Sequence, residues 1–218
     1  MSSKREVGDA LGHVLDHYVA AKTNDTITKS HAVCKALDRA AQLIQVNGPL
    51  KSRANILVRW SAGQGRWATV PWIAVMDSRE TSRTSSGVYV IYLFRADMSA
   101  VYLTLNQGIS ALMERSSSTM LEELQRRKLR LREKCAPLVA KGFDARDGID
   151  LRNTSALVRG YQASTVAHRQ YDRGHLPPDE SLLDDLGIVV ELYQKLVPSS
   201  RLLERRGRVG TSEEGDSE

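Results

Sequence analysis

The sequence predicts an α+β domain built on a small twisted sheet of about four strands, at least partly antiparallel, flanked by N- and C-terminal helices. Three observations predict it. Apolar residues recur at helical spacing at both ends of the chain, the sixty residues after Gly48-Pro49 switch to short β-branched and aromatic runs, and polar turns separate those runs. At 218 residues the chain is long enough for one domain with a useful core or two small ones, and the pattern favours one, over residues 1–198.

The first helix is read over residues 5–21, where Val7, Leu11, Val14 and Tyr18 form one stripe. A second runs from Ser30 to Val46 on Val33, Leu37, Ala40 and Ile44, and Gly48-Pro49 stops it. The strands are expected at Ile56 to Trp60, Val70 to Met76, Gly87 to Phe94 and Val101 to Leu105. The short Ala96-Asp97-Met98-Ser99 turn makes the last two a hairpin. Pro71 has no N–H to give, which places it at a strand start or a sheet edge, with Trp72 beside it.

Helical spacing returns after Ser116-Ser117-Ser118: Thr119 and Glu122 fit a capping box, and Leu121, Leu124, Leu131, Cys135 and Leu138 give one apolar side. The run Arg126, Arg127, Lys128, Arg130, Arg132, Lys134 reads as a solvated face of that helix. Another helix is expected over residues 154–171. The last starts near Asp179, carries Leu182, Leu186, Val189, Val190, Tyr193 and Leu196 in register, and is expected to end at Pro198. Residues 199–218 offer little to bury and read as a disordered tail or linker, either leading to a partner region of a longer chain or ending a stand-alone protein.

Composition excludes several classes. The chain is 41% apolar and 26% charged, without an apolar run long enough to span a bilayer. MSSKREVGDA lacks the apolar core of a secretory signal, so a cytoplasmic protein is expected, with no membrane partner. Cys34 and Cys135 are too far apart and too few for a disulfide framework or a zinc site and read as buried small residues. No phosphate-binding G-x-x-x-x-G-K-[ST] loop occurs, Gly63-Gln64-Gly65 is too short for a dinucleotide fingerprint, and His13 and His17 lack the rest of a metal motif. No cofactor and no metal are expected. Net charge is +5, but the last eight residues contribute −4 through Glu213, Glu214, Asp216 and Glu218, which leaves +9 on the rest and favours a polyanionic partner.

Three blocks in the strand region carry a resemblance: Ser61 to Asp77 (SAGQGRWATVPWIAVMD), Ser86 to Phe94 (SGVYVIYLF) and Asp97 to Gly108 (DMSAVYLTLNQG). Together they resemble the N-terminal DNA-binding domain of McrB-type modification-dependent restriction enzymes, the MrcB_N family. The segment from Tyr161 to Tyr193 is similar to the family's C-terminal helices. The resemblance implies a non-enzymatic specificity module that flips a modified cytosine, such as 5-methylcytosine, out of double-stranded DNA in a restriction or phage-defence system. A separate or fused GTPase or ATPase motor and a nuclease would act with it. Carried over by residue, the base pocket falls on Trp72, Tyr89 and Leu93, with Tyr161 the nearest candidate for a further tyrosine. The residue filling the gap left by the base falls on Gln64, where McrB has an aromatic. Arg66, Arg79 and Arg83, in the loops beside these strands, are the expected phosphate contacts.

The residues themselves fit that role and a plainer one. Tyr89, Ile91 and Leu93 alternate onto one face of their strand and Val88, Val90, Tyr92 and Phe94 onto the other. If the Val88 side is core, the Tyr89 side forms a recess beside Trp72; read structurally, all three are ordinary core. Two further readings stay open. One is a reader of unmodified DNA or of a modified base in RNA. The other is a divergent metal-dependent nuclease using Asp77 and Glu80, which no strand lysine accompanies.

Overall fold

A computed structural model describes the backbone of residues 5–108 and 118–209 and the side chains of 5–108 and 122–197. Its elements are α1 (Glu6–Asn24), α2 (Ala32–Val46), β1 (Ile56–Gly63), β2 (Trp67–Asp77), β3 (Val88–Phe94), β4 (Ala100–Gln107), α3 (Ser118–Arg132), α4 (Ala136–Val139), α5 (Ala156–Ser164), β5 (Thr165–Asp172) and α6 (Asp179–Val209). The strands form one sheet in the order β1-β2-β3-β4-β5, each antiparallel to its neighbour.

The expected class holds, with a fifth strand added. Residues 154–171, expected as one helix, divide into α5 and β5, because β-branched Thr165 and Val166 gain more by pairing along β4 than by continuing a helix whose next turn is polar. The polar residues His168, Arg169 and Gln170 hid that strand. At the sheet margin only its inner side needs to be apolar. The basic helix also divides. α3 ends at Arg132 and α4 begins at Ala136, since the ring of Pro137 would collide with the carbonyl four residues earlier in a continuous helix. The Thr119 half of the expected capping box lies outside the described side chains. At the other end, α6 continues past Pro198 to Val209, so the proline interrupts one hydrogen bond without ending the helix. Residues 210–218 of the expected tail lie outside the described residues.

Pro71 is neither at a strand start nor on an edge strand. It lies in β2, where the β1–β2 register slips between Ser61 and Gly63 and before pairing with β3 begins at Trp72, so a missing N–H costs no ladder bond.

The larger core lies on the sheet face made by Ile73, Val75, Val88, Val90, Tyr92, Phe94, Val101, Leu103 and Leu105, under the apolar stripes of α1, α2 and α6. Cys34 and Cys135 are free thiols buried in it, as expected. α1 also fixes the β1–β2 hairpin: the Tyr18 hydroxyl lies 3.1 Å from the Ala62 carbonyl oxygen and 3.0 Å from that of Ala68. The Trp67 indole donates to the Asp25 carbonyl (2.8 Å), with Tyr18 and His31 edge-on to its rings. Tyr18→Phe leaves both carbonyls short of a donor and is expected to lower stability by about 1 kcal/mol. Thermal unfolding checks it, with a fall in Tm of roughly 2–4 °C.

Candidate nucleic-acid interface

The opposite face of the sheet is where the sequence-derived site residues meet. Trp72, Ala74 and Met76 of β2, Tyr89, Ile91 and Leu93 of β3 and Tyr102 of β4 share it, and the register sets Trp72 directly opposite Leu93. Ile149 and Leu151 from the loop before α5, with Val158 and Tyr161 on α5, cover the centre as a second, smaller core. Trp72, Tyr89, Leu93 and Tyr161 are therefore members of one cluster, although Tyr161 lies far along the chain from the other three. Backbone and side-chain bonds hold the cover in place: Ala96 N–H donates to the Leu151 carbonyl (3.0 Å), Leu151 N–H to Gln162 (2.8 Å), and Arg95 to the Asp150 carbonyl (2.9 Å).

Within the cluster the residues differ in access. Tyr89 and Leu93 are fully buried and Tyr161 nearly so, whereas Trp72 is half-buried at its border. Two of the three tryptophan indoles are structurally engaged, Trp60 donating to Asp38 (2.9 Å) and Trp67 to Asp25. That of Trp72 has no acceptor among the described residues. The Tyr89 hydroxyl is buried with no hydrogen-bond partner among the described residues. Such an orphaned group costs about 1–3 kcal/mol. Burial, with the neighbouring Tyr161, raises its pKa well above the ordinary tyrosine value, so it stays a protonated donor. Tyr161 is also raised by burial, partly offset by its hydrogen bond to the Thr84 side chain.

The expected contact residues fall at opposite ends of this face. The β1–β2 tip carries Gln64 and Arg66, both exposed, at the end where Trp72 and Leu93 lie. Gly63 and Gly65 have φ of 117° and 68°, and a Cβ on Gly63 would come 2.1 Å from the Arg66 carbonyl oxygen, so only glycine permits this turn. The loop carrying Arg79 and Arg83 leaves the far end of β2, about 33 Å along the strand at ~3.3 Å per residue, beside Tyr89 and Tyr161. Arg83 is exposed there. Arg79 is half-exposed and paired with Asp77, its Nε 2.9 Å and Nη2 2.6 Å from the two carboxylate oxygens.

Asp77 is buried, which works to raise its pKa, but the hydrogen bonds from Arg79 and Gln194 outweigh burial and hold it below the ordinary carboxylate value. With Tyr193, whose hydroxyl accepts from the Asp77 N–H at 2.8 Å, it latches this loop to α6. Glu80 accepts from the Val88 N–H (3.0 Å) and lies 3.8 Å from Arg127. Both carboxylates proposed for hydrolysis are thus engaged in holding the loop. Among the described residues no group of three His, Cys, Asp or Glu is placed to hold a metal ion.

The basic run of α3 is only partly solvated. Lys128 is buried and donates to the Ala163 carbonyl (3.1 Å), with its pKa pushed down to about 8 by burial and then by Arg132. Arg132 donates to the carbonyls of Arg146, Asp147 and Val166. These side chains cap backbone acceptors of the cover and β5, a role that charge density in the sequence did not signal.

Among the described residues nothing covers one margin of the second face. The cover reaches β3 and β4, but Leu57, Arg59 and Ser61 of edge strand β1 share the face with Trp72 and are exposed or half-exposed. Alternation along Ile56-Leu57-Val58-Arg59-Trp60 already separates these residues from the core side, and that signal was present in the sequence. No helix among the described residues is long and apolar enough to cross a membrane.

An antiparallel sheet with α1, α2 and α6 packed on one face, and an aromatic cluster under α5 with an exposed arginine-bearing margin on the other, defines an α+β domain. The chain matches the family model of the MrcB-like, N-terminal domain over residues 13–198, most of its length, and it belongs to that family. This is the family of N-terminal DNA-binding modules of McrB-type restriction systems. No curated protein matches the chain.

Proposed function

We propose that this domain reads a modified cytosine in double-stranded DNA by turning it out of the helix against Trp72, Tyr89, Leu93 and Tyr161. In this reading it supplies specificity to a cytoplasmic modification-dependent restriction or phage-defence system whose motor, a GTPase or ATPase, and nuclease are separate or fused. The observation that carries it is the buried Tyr89 hydroxyl of that cluster, which has no hydrogen-bond partner among the described residues. A side chain serving only as core would be better as phenylalanine, whereas a hydroxyl awaiting a base repays its cost on binding.

Magnitudes set what such a pocket does. Extrusion costs a few kcal/mol, and stacking on an aromatic returns about 1–3 kcal/mol. One buried methyl adds roughly 0.8 kcal/mol, and a pocket shaped around it discriminates by about 1–3 kcal/mol. Because Tyr89 and Leu93 are fully buried beneath Ile149, Leu151 and α5, a base enters where that cover parts beside half-buried Trp72, which stays as the stacking wall. Gln64, at the exposed tip on the same end, takes the vacated place in the duplex, and Arg66 and Arg83 contact phosphates.

The test is a titration against duplexes identical except for the cytosine modification, at two salt concentrations, with single-stranded RNA included. The expected result is salt-dependent binding to both duplexes with about 5- to 150-fold preference for the modified one. Equal affinity for both duplexes, or stronger binding to the RNA, overturns the reading.

A further inference from the structure

Arg59 lies at the middle of edge strand β1, opposite Ala74, on the sheet face that bears Trp72. Trp72 itself pairs with Ser61, so the arginine and the indole are separated by two residues along the strand, about 7 Å. The cover does not reach this margin: Arg59 is exposed and Leu57 and Ser61 are half-exposed. Arg59 has no ion-pair partner among the described residues. A carboxylate does line the cleft it shares with Arg39, namely Asp38, but that group accepts from the Trp60 indole (2.9 Å) and the Gln42 amide (2.7 Å). Beyond Trp72 in the other direction stands exposed Arg66 at the hairpin tip.

Resting on the reading of this face as the DNA-binding one, we infer that Arg59 is a phosphate contact. It holds the strand that carries the extruded nucleotide on the β1 side of Trp72, while Arg66 holds it on the other side. The uncovered strip from Arg59 to the tip is thus the track of the DNA backbone. A charge on an edge strand also deters pairing with other strands, but that role leaves DNA affinity unaffected.

The experiment compares wild type, Arg59→Ala and Arg59→Lys on modified and unmodified duplexes across a salt series. Arg59→Ala is expected to weaken both duplexes by the same factor and to reduce the slope of log affinity against log salt by about 0.9, the amount for one phosphate contact. Arg59→Lys is expected to restore the slope, and thermal unfolding of both variants to match wild type, because the side chain is exposed. Unchanged affinity and slope in Arg59→Ala overturn the assignment, and so does a loss confined to the modified duplex, which would make Arg59 a base contact. The wild-type preference for the modified duplex judges the reading of the face separately, since a protein that binds both duplexes equally still reports on Arg59 through its salt slope.

Discussion

Trp72→Ala is expected to bring the affinities for modified and unmodified duplex together while leaving salt-dependent binding to both. The reason is the contrast among the three tryptophans. Trp60 and Trp67 donate to Asp38 and Asp25 and tie β1 and the hairpin to the helical layer. Trp72 donates to nothing among the described residues and is half-buried at the border of the second core. Its removal therefore takes away an aromatic wall worth about 1–3 kcal/mol of stacking, a 5- to 150-fold change on the modified duplex. The stability cost falls below the ~3–5 kcal/mol of truncating a fully buried tryptophan. Trp72→Phe keeps a ring and is expected to keep most of the preference. Trp67→Phe loses the Asp25 bond and is expected to lower thermal stability with the preference intact. Paired duplex titrations on the three variants check this. A parallel loss on both duplexes from Trp72→Ala would mean that the indole only supports the fold.

How much of this was legible in the sequence follows from which signals are local. Periodicity located α1, α2, the strands β1 to β4 and the start of α6, because each has one face against a core and the other toward water or a second layer. β5 escaped because a margin strand carrying His168, Arg169 and Gln170 lacks full alternation, and its pairing with β4 is decided far away in sequence. Tyr89 and Leu93 sharing a face follows from counting by twos, but that this face is also packed depends on the loop before α5, whose apolar residues Ile149 and Leu151 are isolated in the sequence. Arg79 shows the same limit. An arginine in a polar loop looks available for phosphate, and only the fold reveals that it also pairs with Asp77, with Tyr193 and Gln194 behind it.

Tyr89→Phe is expected to move stability and binding in opposite directions. In the free protein the hydroxyl is buried without a partner among the described residues, so deleting one oxygen relieves a desolvation cost of about 1–3 kcal/mol and leaves a ring of the same shape in a filled cluster. At roughly 2–4 °C per kcal/mol for a chain of this size, Tm should rise by several degrees. On DNA the same change removes a donor that an extruded base would satisfy. A neutral hydrogen bond is worth about 0.5–1.5 kcal/mol, so affinity for the modified duplex should fall by about 2- to 12-fold. Since burial raises the Tyr89 pKa well above its ordinary value, the hydroxyl remains protonated throughout the physiological range, and the difference between the two proteins should not vary with pH there. Tyr161→Phe provides the internal contrast: its hydroxyl is engaged with Thr84, so its loss should lower stability instead of raising it. A Tyr89→Phe protein that is more stable and binds the modified duplex as tightly as wild type would show that the hydroxyl has no part in recognition, because a group retained at a cost in the free state must be repaid in the bound one.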